Sequence, residues 1–306
     1  MPARKKEIMF ELLMMHKRGN NAGDGFGLFG GGSAVGGYSN YTDKYTYATN
    51  AVAAGTVLGS ARYLLAATGN ATLGIFGGGT AGNGNSNYTD KYTYSTNAVA
   101  SGSALGQARF YLAATGNATV GIFAGGFAGN GNSNYTDKYT YSTNAVASGS
   151  ALGQARYALA ATGNTTFGIF AGGNTGSVSS RADKYTYSSG AATAGTVLGI
   201  ARERLTATGN ATVGIFGGGS PTSNYTDKYT YASNAVAAGS VLGQARYALA
   251  ATGNATVGIF GGGTIGSGSS NISDKYMYAT NAVAAGTVLG IARYGLAATS
   301  SSPGGF

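Results

Sequence analysis

Gly74-Ile75-Phe76-Gly77-Gly78-Gly79, followed by Asp90-Lys91-Tyr92-Thr93-Tyr94 and then Ala108-Arg109, is one copy of a pattern that the chain carries six times. The glycine block begins at Gly27, Gly74, Gly121, Gly168, Gly214 and Gly258. The Asp-Lys-Tyr triplet begins at Asp43, Asp90, Asp137, Asp183, Asp227 and Asp274, and the Ala-Arg pair ends at Arg62, Arg109, Arg156, Arg202, Arg246 and Arg293. A fixed period in the forties marks a repeat architecture, in which each unit buries its apolar face against its neighbours. Every interval from a triplet to the next glycine block is 31 residues, whereas the interval from the last glycine of a block to the Asp is 11, 10 or 8. Length variation is thus confined to one loop, which belongs at the surface.

Each unit divides into four short strands. Ala66 to Thr72 places Gly69-Asn70 between two β-prone runs, which predicts a two-residue hairpin turn with positive φ. The Ala-rich run before it is a first strand, and Thr72 to Gly77 is a second. Lys91 to Tyr94 alternates as a third, and Val99 to Leu105, interrupted by Gly102, is a weaker fourth. Four strands in meander order describe a propeller blade. The repeat opens at Gly27 inside a second strand and finishes with Arg293 to Thr299, a first strand on its own. Pairing of these two ends would complete one blade, close the ring and remove its sheet edges. The expectation is an all-β, six-bladed β-propeller of four-stranded antiparallel blades over residues 27–299. It is preceded by a basic extension, 1–26, in which Ala3 to Arg18 reads as a short amphipathic helix, and followed by a disordered tail, 300–306.

The composition has 306 residues, 43% hydrophobic and only 9% charged, with 55 Gly, 22 Tyr and no Cys. Disulfides and thiolate chemistry are excluded. The net charge of +9 is spread evenly around the repeats rather than gathered in a tail, which disfavours nucleic acid as a partner. The apolar run in residues 3–18 is short, is broken by Glu11 and is followed by His16-Lys17-Arg18, so it reads neither as a Sec signal peptide nor as a transmembrane helix. It reads instead as a docking segment for a protein partner or a membrane surface, or as a helix packed on its own domain.

The glycine doublet after an apolar strand, the third-strand Tyr and the Arg before the next first strand resemble the kelch repeat of β-propellers, over about residues 27 to 299. Kelch repeats usually carry a Trp in the fourth strand; here Val52, Val99 and Val146 stand near that place. The resemblance implies four-stranded blades around a central channel. It also implies that the arginines before each first strand, with the loops between second and third strands, face the channel mouth.

On that footing the candidate ligand-binding residues are Arg62, Arg109, Arg156, Arg202, Arg246 and Arg293, whose guanidinium groups would hold a carboxylate or an acidic sugar. The alternative is an ion pair of each Arg with a repeat Asp. Tyr41, Tyr88, Tyr135 and Tyr225, in the variable loops, are candidate contacts for protein or glycan, or loop residues folded over their own blade. Tyr pairs such as Tyr45 with Tyr47 and Tyr92 with Tyr94 belong to the core between blades. Catalytic, metal and cofactor sites are not expected. Glu occurs only at Glu7, Glu11 and Glu203, the single His is His16, and Glu203 between Arg202 and Arg204 is the one local departure from the repeat.

The favoured reading is a non-enzymatic structural and interaction propeller within an extracellular assembly, such as a decoration, tail or adhesion component of a phage virion. A cytoplasmic location and a homo-oligomer are left open. The alternative is a carbohydrate- or acidic-ligand-binding module using the Arg ring and the Tyr loops; a propeller enzyme is disfavoured.

Overall fold

Strand pairing in the computed structural model, which describes residues 25–302 apart from Asn83, Asn130 and Ser267, forms six four-stranded antiparallel sheets. The expected helix over residues 3–18, with His16, and the last four residues lie outside the described residues. Blade 2 shows the plan: Ala66–Gly69, Leu73–Gly77, Thr89–Thr93 and Ala98–Ser101 follow one another from the axis outward. The six first strands abut around a central channel. Among the described residues their inner edges have no strand partner, and Ala and Gly keep this crowded zone thin. The fourth strand ends before Gly102, whose N–H donates to the Thr89 carbonyl. Val99 sits half-buried there, opposite Tyr92.

The ring closes as the repeat predicts. Ala297–Ser300 pairs with Phe26–Gly30, from Gly27 opposite Ser300 to Gly30 opposite Ala297. The ladder runs one residue beyond Gly27 and Thr299 at each end, and Ser301 exchanges hydrogen bonds with Phe26.

One turn differs from the sequence reading. The hairpin between first and second strands does not bend at Gly69-Asn70, and neither residue has positive φ. Asn70 N–H donates to the Leu73 carbonyl at 2.9 Å, so the turn residues are Ala71 and Thr72. The Asn70 Oδ1 accepts from the N–H groups of Thr72 and Leu73, each at 2.9 Å. This side-chain cap holds the turn in an ordinary backbone conformation and makes a left-handed residue unnecessary.

Between blades, apolar residues of one sheet press on the small residue that ends the second strand of its neighbour. A Cβ on Gly77 would lie 2.8 Å from the Phe123 ring of blade 3, and blades 3 and 4 have nothing larger than Ala124 and Ala171 at this place. Phe76, Tyr92 and Tyr94 of blade 2 are buried with Leu28 and Ala297 of blade 1, and the same set recurs at each boundary. The inner tyrosines also carry a polar stitch. Tyr94 shares a hydrogen bond with Thr299 of the preceding blade at 2.9 Å, Tyr47 with Thr252 at 2.8 Å, and Tyr141 with Thr68 at 3.1 Å.

Burial raises the pKa of Tyr47, Tyr94, Tyr141, Tyr187, Tyr231 and Tyr278, against the lowering effect of these hydrogen bonds. An unfolded tyrosine ionises near pH 10, so the stability held by the neutral phenols is complete below about pH 10 and is lost as pH rises toward the folded values. Each inner tyrosine should contribute a slope of about 1.4 kcal/mol per pH unit in that range. In an alkaline titration, tyrosinate absorbance from these six should therefore appear together with loss of β-structure.

Candidate functional site

The repeat arginine stands in the linker between one blade and the next, and it serves both. The Arg109 carbonyl accepts the Gly79 N–H of blade 2 at 2.8 Å, while its Nη1 donates to the carbonyls of Gly125 and Tyr135 in blade 3. Its Nη2 is ion-paired with Asp137, and both side chains are fully buried. The other five arrangements are Arg62 with Asp90, Arg156 with Asp183, Arg202 with Asp227, Arg246 with Asp274 and Arg293 with Asp43. Each Asp also accepts a backbone N–H from the incoming linker, as Asp137 does from Gly106 at 2.8 Å.

Burial is the leading influence on these groups: it draws the Arg109 guanidinium below its ordinary value and pushes the Asp137 carboxyl up, with the partner opposing in each case. The geometry is therefore that of the ion pair with the repeat Asp. The candidate loop tyrosines join it. Tyr41, Tyr88, Tyr135 and Tyr225 are half-buried, with their rings 5.2–5.9 Å from the guanidinium carbons of Arg293, Arg62, Arg109 and Arg202. They lie over the pairs, and the carbonyls of all four accept from the arginines.

The channel mouth is formed by the two residues after each arginine. In the second of these places stand Leu64, Tyr111, Ala158, Arg204, Ala248 and Gly295, all with φ between 53° and 61°. The N–H of each donates to the carbonyl of the one before, and Leu64 closes the circuit on Gly295 at 2.6 Å. Six left-handed residues thus make a closed belt of hydrogen bonds around the axis, although only one is glycine. Left-handed backbone costs an ordinary residue roughly 1–2 kcal/mol, which the belt must offset.

In the first place stand Tyr63, Phe110, Tyr157, Glu203, Tyr247 and Tyr294, each bridged to the loop between second and third strands, as Tyr63 is to Thr80. In four blades of full loop length that loop is itself a small hairpin, for example Thr80–Ala81 with Gly84–Asn85. Linkers and variable loops therefore share one face. Their aromatic rings form a collar: Tyr63 stacks on Tyr38 at 4.6 Å and meets Tyr294 edge-on, and Phe110 and Phe127 touch Tyr111 and Tyr157.

Glu203 and Arg204 interrupt the collar. The Glu203 Oε2 accepts from Asn174 Nδ2 at 2.6 Å. Arg204 extends over the rings of Tyr111 and Tyr247 at 5.4 and 5.8 Å. Its Nε lies 3.7 Å from the Glu203 Oε1, an ion-pair distance too long for a hydrogen bond, and has no hydrogen-bond partner among the described residues. Burial raises the Tyr111 pKa to about 12, with Arg204 acting in the opposite direction. Behind the mouth lies a cavity of about 70 Å³ whose lining includes Leu65, Leu112, Leu159 and Arg204. Among the described residues there is no cluster of metal-ligating side chains.

Sequence reasoning singled out Glu203 and Arg204 as a departure but missed the collar. The signal was available: these two columns vary between repeats whose flanking residues are nearly constant. Compared with known proteins, the chain matches no family model, and no curated relative is found. The kelch resemblance accordingly stands on the glycine doublet, Tyr and Arg of the repeat.

The ion pair can be tested by substitution. Arg109→Ala should destabilise the protein by about 3–5 kcal/mol, because Asp137 is left charged and buried. Arg109→Ala with Asp137→Ala should recover part of that loss, but not all, since the carbonyls of Gly125 and Tyr135 remain without their donor. Denaturant titration of the two variants measures the difference.

Proposed function

We propose that the protein is a non-enzymatic interaction propeller that meets its partner with the face carrying the channel mouth and the variable loops. One observation carries this reading: the residues that break the sixfold repeat gather there. Ala81 to Arg109 and Ala128 to Arg156 are identical in sequence, yet the mouth columns run through Leu, Tyr, Ala, Arg and Gly. Clustered aromatic side chains that expose both an apolar face and a hydroxyl suit binding surfaces. A non-catalytic role is supported by the carboxylates: six of the seven described sit in buried ion pairs, and Glu203 is held by Asn174.

The setting we propose is a larger extracellular assembly, such as a virion component. Its support is compositional: few charges, no Cys, and abundant Gly and Tyr. Recovery from the native source solely as a free monomer would rule it out.

A second reading, recognition of an acidic ligand at the mouth, is favoured by Arg204, a partly exposed arginine held between two tyrosine rings and only loosely paired with Glu203, at 3.7 Å. A guanidinium between two tyrosine rings offers a carboxylate charge-assisted hydrogen bonds. On an array of neutral and carboxylated glycans, binding should be confined to the carboxylated members. It should fall at least tenfold in Arg204→Met, while Lys91→Gln, on the opposite side, leaves it unchanged. Equal binding by Arg204→Met would remove this reading and leave the aromatic face to be tested with Tyr63→Ala.

A further inference from the structure

In each blade the fourth strand ends on the mouth side, and the chain then crosses that face to the next arginine. After Ala54, Leu58 N–H donates to the Asn40 carbonyl of blade 1 at 2.8 Å and Gly59 N–H to Asp90 of blade 2 at 2.9 Å, so the crossing lies over the seam between two blades. Leu58 is buried in that seam, and its neighbour Val57 is left outside. Val197, Val241 and Val288 hold the same place after blades 4, 5 and 6, and Ile200 and Ile291 stand three residues beyond two of them. These six are 38–53% exposed. After blades 2 and 3 the same places hold Ala104 with Gln107 and Ala151 with Gln154.

The other exposed large apolar residues among those described are Val35, Tyr38 and Val178, in the second-to-third-strand loops of blades 1 and 4. All nine therefore belong to blades 4, 5, 6 and 1, which are consecutive around the closed ring, and all lie on the mouth side. Loop length breaks the sixfold pattern on the same face. Blades 1, 2, 3 and 6 carry a small hairpin there. In blades 4 and 5 the interval from the last glycine to the Asp falls from 11 to 10 and 8 residues, and no hairpin strands form among the described residues.

Single exposed apolar side chains are ordinary, but a set gathered on one arc of one face marks an interaction site. About half-exposed, these residues offer on the order of several hundred Å² of apolar surface, the scale of the ~800 Å² that each partner gives to a standard interface. What fits this arc is another copy of it. A two-fold axis lying in the mouth face and passing through the middle of the arc, near blade 6, exchanges its two ends. Evenly spaced valines then meet evenly spaced valines, the self-matching that an isologous contact needs. A foreign partner would have to reproduce a spacing of one sixth of a turn.

The same rotation brings the short loops of blades 4 and 5 opposite hairpin-bearing blades of the second copy, so that projections face gaps. It also keeps like charges apart. The exposed Arg181 of blade 4 and the Glu203–Arg204 pair of blade 5 come opposite blades with no exposed charge among their described mouth-side residues.

We propose that the mouth face binds a second copy of the chain, as a two-fold, face-to-face dimer closed by the apolar arc, which rests on the reading of this face as the interaction face.

Sedimentation of the full chain over a range of concentrations is the test. The expected species are a monomer of 30.3 kDa and, at micromolar concentration, a dimer of twice that mass. Val197→Ala/Ile200→Gln/Val241→Ala/Val288→Ala/Ile291→Gln gives these crossings the residues that blades 2 and 3 already carry, and should raise the dimer dissociation constant at least tenfold. Lys91→Gln, on the opposite side, should leave it unchanged. A chain that stays monomeric at every concentration, or a five-residue variant that dimerises as tightly as the native chain, would overturn the proposal. If the variant does not fold, hydrogen exchange of the native chain decides the matter: protection of residues 55–60, 196–200 and 286–291 should rise with protein concentration, and unchanged protection there would overturn the proposal. A monomer that binds carboxylated glycans through Arg204 loses only the second copy as its partner, whereas concentration-dependent protection confined to the opposite face removes the interaction face as well.

Discussion

A guanidinium buried against a carboxylate, repeated six times, is the interaction on which the other features depend. The desolvation of two charges is costly, and their mutual attraction offsets it only when the remaining donors and acceptors are also met. Here they largely are: each arginine donates to at least two carbonyls as well as to its Asp, and each Asp takes a linker N–H. The buried Nε is the donor left over. Because the arginine's own carbonyl binds the preceding blade, one residue fixes the spacing and angle between two sheets. A hydrophobic contact of equal area would not specify that angle so narrowly, since it is non-directional.

The glycine block is the other half of this joint. Gly78 and Gly79 have φ of 69° and 92°, and a Cβ on either would come within 3 Å of a linker carbonyl, those of Arg109 and Tyr63. The block therefore has two physical reasons, left-handed backbone and close approach. With blade angle set by the arginines and the seam closed by Ala297–Ser300, the six linkers come near enough to form the closed belt at the mouth. Side chains on that belt are then free to differ, because the hydrogen bonds beneath them are made by backbone.

The two faces follow from the same plan. Linkers and long loops lie at one end of every strand, and short polar turns at the other. Variation in loop length and in the mouth columns is tolerated on the first face. On the second, the period-2 alternation of the third strand delivers one lysine per blade. One face is aromatic with a single Glu–Arg interruption, and the other has uncharged turns, with one half-buried lysine per blade in the third strand.

Much of this could be read from the residues alone. Six copies of a four-strand unit, opening in a second strand and closing with a first, determine the blade count and the seam, because strand edges must be paired. Burial of Tyr45 and Tyr47 follows from their spacing and their apolar rings. The identity of the arginine's partner does not follow, since ligand and Asp are chemically equivalent acceptors and each repeat supplies both a cation and an anion. Only the distance between sheets decides it. The turn at Asn70 was misplaced because a side-chain cap and a left-handed glycine can serve the same sequence. The aromatic collar and the apolar arc depend on bringing residues more than forty positions apart onto one circle, and that is a property of the closed ring.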